Sequence, residues 1–116
     1  MNKKISPFVS KLISILEVPK FLIKNEKNQR CMSWVSQGTF MITDSDELSK
    51  NVLRQYFKHS NFSSFIRQLN IYGFEKVKSE QNCHYYHHKS FIPTSKKQLK
   101  QIKRKHRKIE SGDNEK

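Results

Sequence analysis

The sequence predicts an α+β fold: a winged helix-turn-helix, in which a three-helix bundle carries a small antiparallel β-sheet. Three observations predict it. Apolar residues recur at helical spacing in three segments, Phe8 to Leu16, Leu48 to Phe57 and Phe62 to Leu69. The second and third of these are separated only by the break Lys58-His59-Ser60, which is the layout of a helix-turn-helix. Two pairs of β-rich runs, one around Gln37-Gly38 and one around a polar loop at 79–83, supply antiparallel hairpins.

Each element has its own local signal. Ser6-Pro7 reads as an N-cap followed by proline at the first helical position. Phe8, Val9, Leu12, Ile13 and Leu16 then share one helical face, and Val18-Pro19 ends the helix, because a residue before proline disfavours the α region. Residues 20–30 mix Phe21, Leu22 and Ile23 with Asn, Lys and Gln and are expected to form a connection, partly docked and partly exposed. Met32 and Trp34, flanked by Cys31 and Val35, make a short strand that returns after Gln37-Gly38 as Thr39 to Thr43. Asp44 with Glu47 three residues on resembles a capping box, opening a helix that buries Leu48, Val52, Leu53, Tyr56 and Phe57. Ser60 or Asn61 caps the third helix, whose apolar face is Phe62, Phe65, Ile66 and Leu69, and Gly73 is a left-handed terminator.

Phe74 to Lys78 and Tyr85 to Phe91 read as the strands of the second hairpin, although Phe74 and Val77 stand three apart rather than two. Pro93 closes the unit. From Ser95 no Gly or Pro intervenes before Gly112, so a basic helix is expected, with Leu99, Ile102, His106 and Ile109 in 3-4-3 spacing. That is too short for a stable coiled coil alone. The chain thus divides into an extension at 1–6, a winged-helix domain at 7–93 and a basic helix and tail at 94–116, whose acidic end is expected to be disordered.

Charge narrows the partners. The 23 Lys and Arg against 10 Asp and Glu make the chain +13 at neutral pH, with an isoelectric point near 9.9 and a mean hydropathy of −0.83. Residues 96–108 alone carry eight basic side chains and no acidic one. A polyanion, DNA or RNA or an acidic surface, is the partner this balance favours. Apolar runs reach only three residues, as in Phe21-Leu22-Ile23, so no membrane span or secretory signal is expected. Cys31 and Cys83 have no CxxC spacing and read as separate reduced thiols. Cys83, His84, His87 and His88 suggest a metal cluster at first sight, but neighbouring strand residues point to opposite faces, so no metal is assigned. No nucleophile elbow, phosphate loop or paired carboxylates are present, so neither catalysis nor a cofactor is expected. Trp34 and the phenylalanines sit at amphipathic positions and are expected in the core rather than as stacking platforms for single strands.

The third helix carries the chemistry. With Phe62 at zero and about 100° per residue, Ser63 falls near ~100°, Arg67 near ~140°, Ile71 near ~180°, Ser64 near ~200° and Gln68 near ~240°. Of these Ser63 sits on the flank, as does Asn70, near ~80°. This outward face is small, polar and free of carboxylates, as insertion in a major groove requires. Arginine can give two parallel hydrogen bonds to guanine O6 and N7, worth about 1–3 kcal/mol of discrimination. A solvated polar face is the plain alternative at this point.

The run Tyr56-Phe57-Lys58-His59-Ser60-Asn61-Phe62-Ser63-Ser64-Phe65-Ile66-Arg67-Gln68-Leu69-Asn70-Ile71-Tyr72-Gly73-Phe74 closely resembles the heat shock factor DNA-binding domain. Phe8-Val9-Ser10-Lys11-Leu12 is similar to that family's first-helix motif, and Trp34, Gly38 and Phe40 to its first hairpin. Ile102-Lys103-Arg104-Lys105 looks like its basic segment just after the domain, so the resemblance spans about residues 7–105.

The resemblance implies a nuclear, sequence-specific regulator of transcription in the stress response that reads GAA/TTC inverted repeats in double-stranded DNA. It makes Arg67 the guanine reader, with Ser64, Gln68 and Asn70 beside it at the bases. It makes Lys58, His59, Ser63, Tyr72 and Lys76 phosphate contacts, with Lys103 and Arg104 as accessory ones. It places Trp34, Phe57, Phe65 and Phe74 in the core. Lys103, Arg104, Lys105, Arg107 and Lys108 also form a candidate nuclear localisation signal. The other readings are a basic RNA-binding protein or a winged helix that docks a protein.

The chain departs from the family at Arg54, where proline and a helix kink are usual, and at Glu75, where a basic residue is common. It ends where the family's trimerisation coiled coil is expected to begin, so only weak self-association on DNA is anticipated. Deleting residues 96–116 is expected to flatten the salt dependence of binding while leaving the ranking of sequences intact.

Overall fold

Local caps start every helix of this computed structural model, which describes residues 4–19, 22–81 and 83–105. Helix α1, Pro7–Glu17, begins where the Ser6 hydroxyl accepts from the Phe8 N–H at 3.2 Å. The second helix, α2, covers 45–57. The Asp44 carboxylate accepts from the Glu47 N–H at 2.9 Å, and the helix continues through the α-turn Ser45–Glu47, a π-helical segment Leu48–Leu53 and a last α-turn Arg54–Phe57. Arg54, where the family's proline is usual, directly follows the π segment. Lys58 leaves the helix with φ of 63°, and the carboxamide oxygen of Asn61 accepts from the Ser64 N–H at 2.9 Å, so Asn61 rather than Ser60 caps α3, Phe62–Ile71.

Strands β1, Met32–Ser36, β2, Thr39–Ile42, β3, Glu75–Glu80, and β4, Cys83–His87, form one antiparallel sheet in the order β1-β2-β4-β3. Gly38, with φ of 84°, turns β1 into β2, and a Cβ there would lie 2.8 Å from both His87 Cε1 and the His88 carbonyl. The second hairpin is shifted from its expected position. β3 begins one residue later and β4 ends at His87, so Phe91 reaches the core from a loop instead of a strand. The register slips between Lys76 and Lys78, which makes Val77 the extra residue of a bulge. Phe74 precedes the strand and is buried, whereas β3 itself is exposed at every position, Val77 at 56%.

The core gathers Phe8, Val9, Leu12, Ile15 and Leu16 of α1 with Leu48, Val52 and Leu53 of α2, Phe65 and Leu69 of α3, and Phe40, Ile42 and Tyr86 of the sheet. Trp34 and Phe57 are partly buried and pack on its edge, Trp34 against Phe91 with ring centroids 4.9 Å apart. The connection after α1 docks through buried Ile23, and its tip is knotted by Asn25, whose side-chain oxygen accepts from the N–H groups of Lys27 and Gln29. No helix among the described residues is long and apolar enough to cross a membrane.

Arg30 closes the C-terminal end of α1, a role that no local pattern indicates. Its guanidinium donates to the carbonyls of Val18 at 2.6 Å, Ile15 at 2.9 Å and Leu16 at 3.0 Å, and its Nε donates to Met32 O at 3.1 Å. The last carbonyls of a helix need partners and carry partial negative charge, and α1 has no basic residue in its last turn. Arg30→Ala is therefore expected to cost about 2–4 kcal/mol, from the lost charge-assisted bonds and the orphaned carbonyls. A thermal melt checks this, with a fall on the order of 10–20 °C expected. A melting temperature unchanged within a few degrees would show the cap to be dispensable.

The basic helix expected from Ser95 is corrected. The helix α4 is only Lys96–Leu99, capped by the Ser95 hydroxyl, and residues 102–105 are non-helical. Leu99 and Ile102, 3% and 1% exposed, belong to the core. Their spacing comes from docking against the domain and not from a helical seam. His106, Ile109 and the acidic end lie outside the described residues. The deletion of 96–116 consequently removes two core side chains, and the expectation that it leaves the reading of sequence untouched does not survive.

Candidate nucleic-acid interface

Helix α3 presents the outward face that its sequence indicates, rotated toward Arg67. Ser63, Ser64, Arg67 and Asn70 are exposed, whereas Gln68 and Ile71 are half-buried. The exposed four centre near ~130° on the wheel described above, so Arg67 at ~140° stands close to the middle of the open face. No acidic residue lies in α3. The opposite side buries Phe65 and Leu69 completely, and Phe8 of α1 packs against Phe65 and Phe57 at centroid distances of 6.1 and 5.5 Å. The ten residues of α3 span about 15 Å. They are held by aromatic rings behind and by the Asn61 cap at the start.

Candidate phosphate groups lie at both ends of this helix. Lys58 and His59 occupy the turn before it. His59 Nδ1 accepts from the Asn61 N–H at 3.0 Å, which ties the imidazole to the turn. Ser63 is exposed in the first turn. At the far end the Lys105 N–H donates to the Ile71 carbonyl at 2.9 Å, which brings the exposed Lys103, Arg104 and Lys105 alongside the helix terminus. Lys76 is exposed on the edge strand β3. Tyr72 is placed differently: it is 9% exposed and its ring stacks on Phe8 at 4.8 Å. Arg107 and Lys108 lie outside the described residues.

Cys31, His84, His87 and His88 each have a local environment of their own. Burial, reinforced by Glu47, pushes the Cys31 thiol up to about 12, so it stays protonated and unreactive at neutral pH. His87 Nδ1 lies 2.9 Å from the Thr39 hydroxyl, and His84 Nδ1 lies 3.4 Å from that of Ser79. His88 Nδ1 accepts from the Ser90 N–H at 3.0 Å, and burial followed by His87 pushes this imidazole below its ordinary value.

Sequence reasoning made Lys103 and Arg104 candidate phosphate contacts but did not find that residues 99–105 dock on the domain, through buried Leu99 and Ile102 and the Lys105 N–H bond to Ile71. The signal was two apolar residues three apart, Leu99 and Ile102, in an otherwise basic stretch, a spacing that serves docking as well as helix pairing.

A family model described as HSF-type DNA-binding matches residues 8–105. Transcription factor prr1 of Schizosaccharomyces pombe is 40% identical over 79 residues, 67% of this chain and 13% of that protein. The chain spans between 8% and 26% of the full length of the fungal, mammalian and plant relatives compared. Among solved structures, Chaetomium thermophilum Skn7 with SSRE DNA superposes with a TM-score of 0.72 at 33% identity, covering 86% of this chain and all of that one. The same protein with HSE DNA gives 0.70 at 34% identity, covering 85% and all.

Proposed function

This chain belongs to the HSF-type DNA-binding family, a family of DNA-binding proteins and not of enzymes, and from that premise we propose how it reads its target. Helix α3 enters the major groove of double-stranded DNA and reads GAA-type units arranged as inverted repeats with TTC. Arg67 donates two hydrogen bonds to guanine O6 and N7. Ser64 and Asn70 supply neighbouring contacts to base edges, and the half-buried Gln68 contributes the polar end of its side chain.

Lys58, His59 and Ser63 hold phosphates at the start of α3, and Lys103 and Arg104 do so at its end. These fix the register of the protein on the duplex without carrying sequence information. Lys76 on β3 reaches a phosphate further along. The carrying observation is the exposed face of α3: small, free of carboxylates, centred on one arginine, and flanked by cations at both ends. Residues 103–108 also serve as a nuclear address, which places the protein with its DNA and makes it a regulator of transcription.

Competition between duplexes tests the reading. A labelled duplex with inverted GAA repeats is titrated with the chain at several stated salt concentrations, against scrambled duplex and structured RNA. The repeat duplex is expected to win over the scrambled one by roughly tenfold or more, the size of one to two good base contacts. The log–log salt slope is expected to be about −0.9 per phosphate neutralised. Equal binding to the scrambled duplex, or preference for RNA, would remove the reading.

A further inference from the structure

The end of α3 is closed in two parts, one local and one from far along the chain. The last four carbonyls of a helix have no intrahelical partner. Here Tyr72 N–H donates to Gln68 O at 3.0 Å, Phe74 N–H to Leu69 O at 2.9 Å, and Gly73 N–H to Asn70 O at 3.0 Å. With Gly73 at φ of 88°, the last two bonds form a Schellman turn, the usual glycine ending. That turn leaves the Ile71 carbonyl, and the Lys105 N–H takes it at 2.9 Å. The Lys105 side chain also runs close by: a Cβ on Gly73 would stand 3.6 Å from Lys105 Cε.

This bond is not made by a loose end. Ser95 caps α4, the Ile102 N–H donates to Leu99 O at 3.2 Å, and the side chains of Leu99 and Ile102 are sunk in the core. Arg67 lies one helical turn before Ile71. Two-bond recognition of a base edge demands that the reading side chain be held within roughly 0.5 Å and 10–20° of its productive geometry. The N-terminal end of α3 is fixed by Asn61. The C-terminal end is fixed by the Schellman turn and, at its last carbonyl, by Lys105.

We propose that residues 99–105 form a strap that sets the orientation of α3 and thereby its discrimination between DNA sequences, with Lys105 acting as a positioning residue through its backbone N–H. The segment is thus part of the reading device as well as a store of positive charge. The proposal rests on α3 being the reader.

The test uses the full chain and two variants. Lys105→Ala removes the cation but keeps the N–H; Lys105→Pro removes both. Affinities are measured for the inverted-repeat duplex and for a scrambled duplex of equal length. Lys105→Ala is expected to keep the ratio of the two affinities within about twofold, because losing a phosphate-range cation weakens binding to all sequences alike. Lys105→Pro is expected to lower the ratio by roughly tenfold, the size of one good base contact. A partly unfolded sample weakens both affinities equally, so the ratio is not moved by lost stability alone. Equal ratios for the two variants would overturn the proposal.

Amide exchange is read in parallel. The Lys105 amide is expected to be protected in the unmodified chain, and the amides of Tyr72 and Gly73 are expected to exchange faster in Lys105→Pro than in Lys105→Ala. If the unmodified chain does not discriminate between the duplexes, the reading of α3 falls, and these rates alone decide the strap: faster exchange keeps it as a positioning device, and unchanged exchange ends it.

Discussion

Replacing Arg67 with alanine is expected to erase the preference for GAA repeats over a scrambled duplex while leaving the fold unchanged. The arginine is the only charged side chain of α3 and stands near the middle of its exposed face. Loss of one bidentate guanine contact costs about 1–3 kcal/mol of discrimination, or roughly 5–150-fold. Non-specific binding falls much less, because phosphate contacts made elsewhere remain. Arg67→Lys separates charge from geometry. It keeps the cation but lacks the planar two-pronged donor, so it is expected to hold non-specific affinity and still lose most of the discrimination. Thermal melts serve as the control, since an exposed substitution away from caps and core shifts stability by only about 0.5 kcal/mol. Undiminished discrimination by Arg67→Ala would move the reading off this residue.

Phe40→Ala is expected to have the largest effect on stability. Phe40 is 0% exposed and its ring meets Phe74 at 5.9 Å, Phe91 at 5.9 Å and Tyr86 at 6.2 Å. It therefore joins β2, β4, the residue that precedes β3, and the loop after the sheet. Deleting a ring from such a site costs about 3–5 kcal/mol, transfer and cavity terms together, out of a total of roughly 5–15 kcal/mol for a domain. A fall of the melting temperature by about 15 °C or more is expected. Val77→Ala, on the exposed bulge of β3, is expected to shift it by no more than a few degrees. A small shift for Phe40→Ala would show that the cluster of Phe40, Phe74, Tyr86 and Phe91 does not hold the sheet together.

Much of the fold was legible because its signals are local. Ser6-Pro7, Asp44 and Asn61 each cap the helix they precede, and Gly73 ends α3 at positive φ, all within a few residues of the pattern that indicates them. The exposed face of α3 was legible in part: helical spacing alone puts Arg67 opposite Phe65 and Leu69, but Gln68 and Ile71, expected outward, are half-buried. What escaped was decided by distant contacts. Arg30 caps α1 from the far side of a connecting loop, and nothing near it in the chain shows the carbonyls it serves. Val77 bulges out of β3, an edge strand exposed along its whole length, so no alternation of burial marks it. The stretch after Ser95 has helical composition, yet helix propensity is a weak prior, and burial of Leu99 and Ile102 against the domain stops α4 after one turn. Tyr72 shows the same effect of distant contacts, since its ring is buried by stacking on Phe8 of α1.

The proposed division of labour, one helical face for sequence and the flanking cations for affinity, is tested most directly by selecting binding sites from random double-stranded DNA at stated salt. The proposed reading expects enrichment of alternating GAA and TTC units, with the guanine the least replaceable base of each. Selected pools without GAA units, or with no enrichment at all, would contradict it.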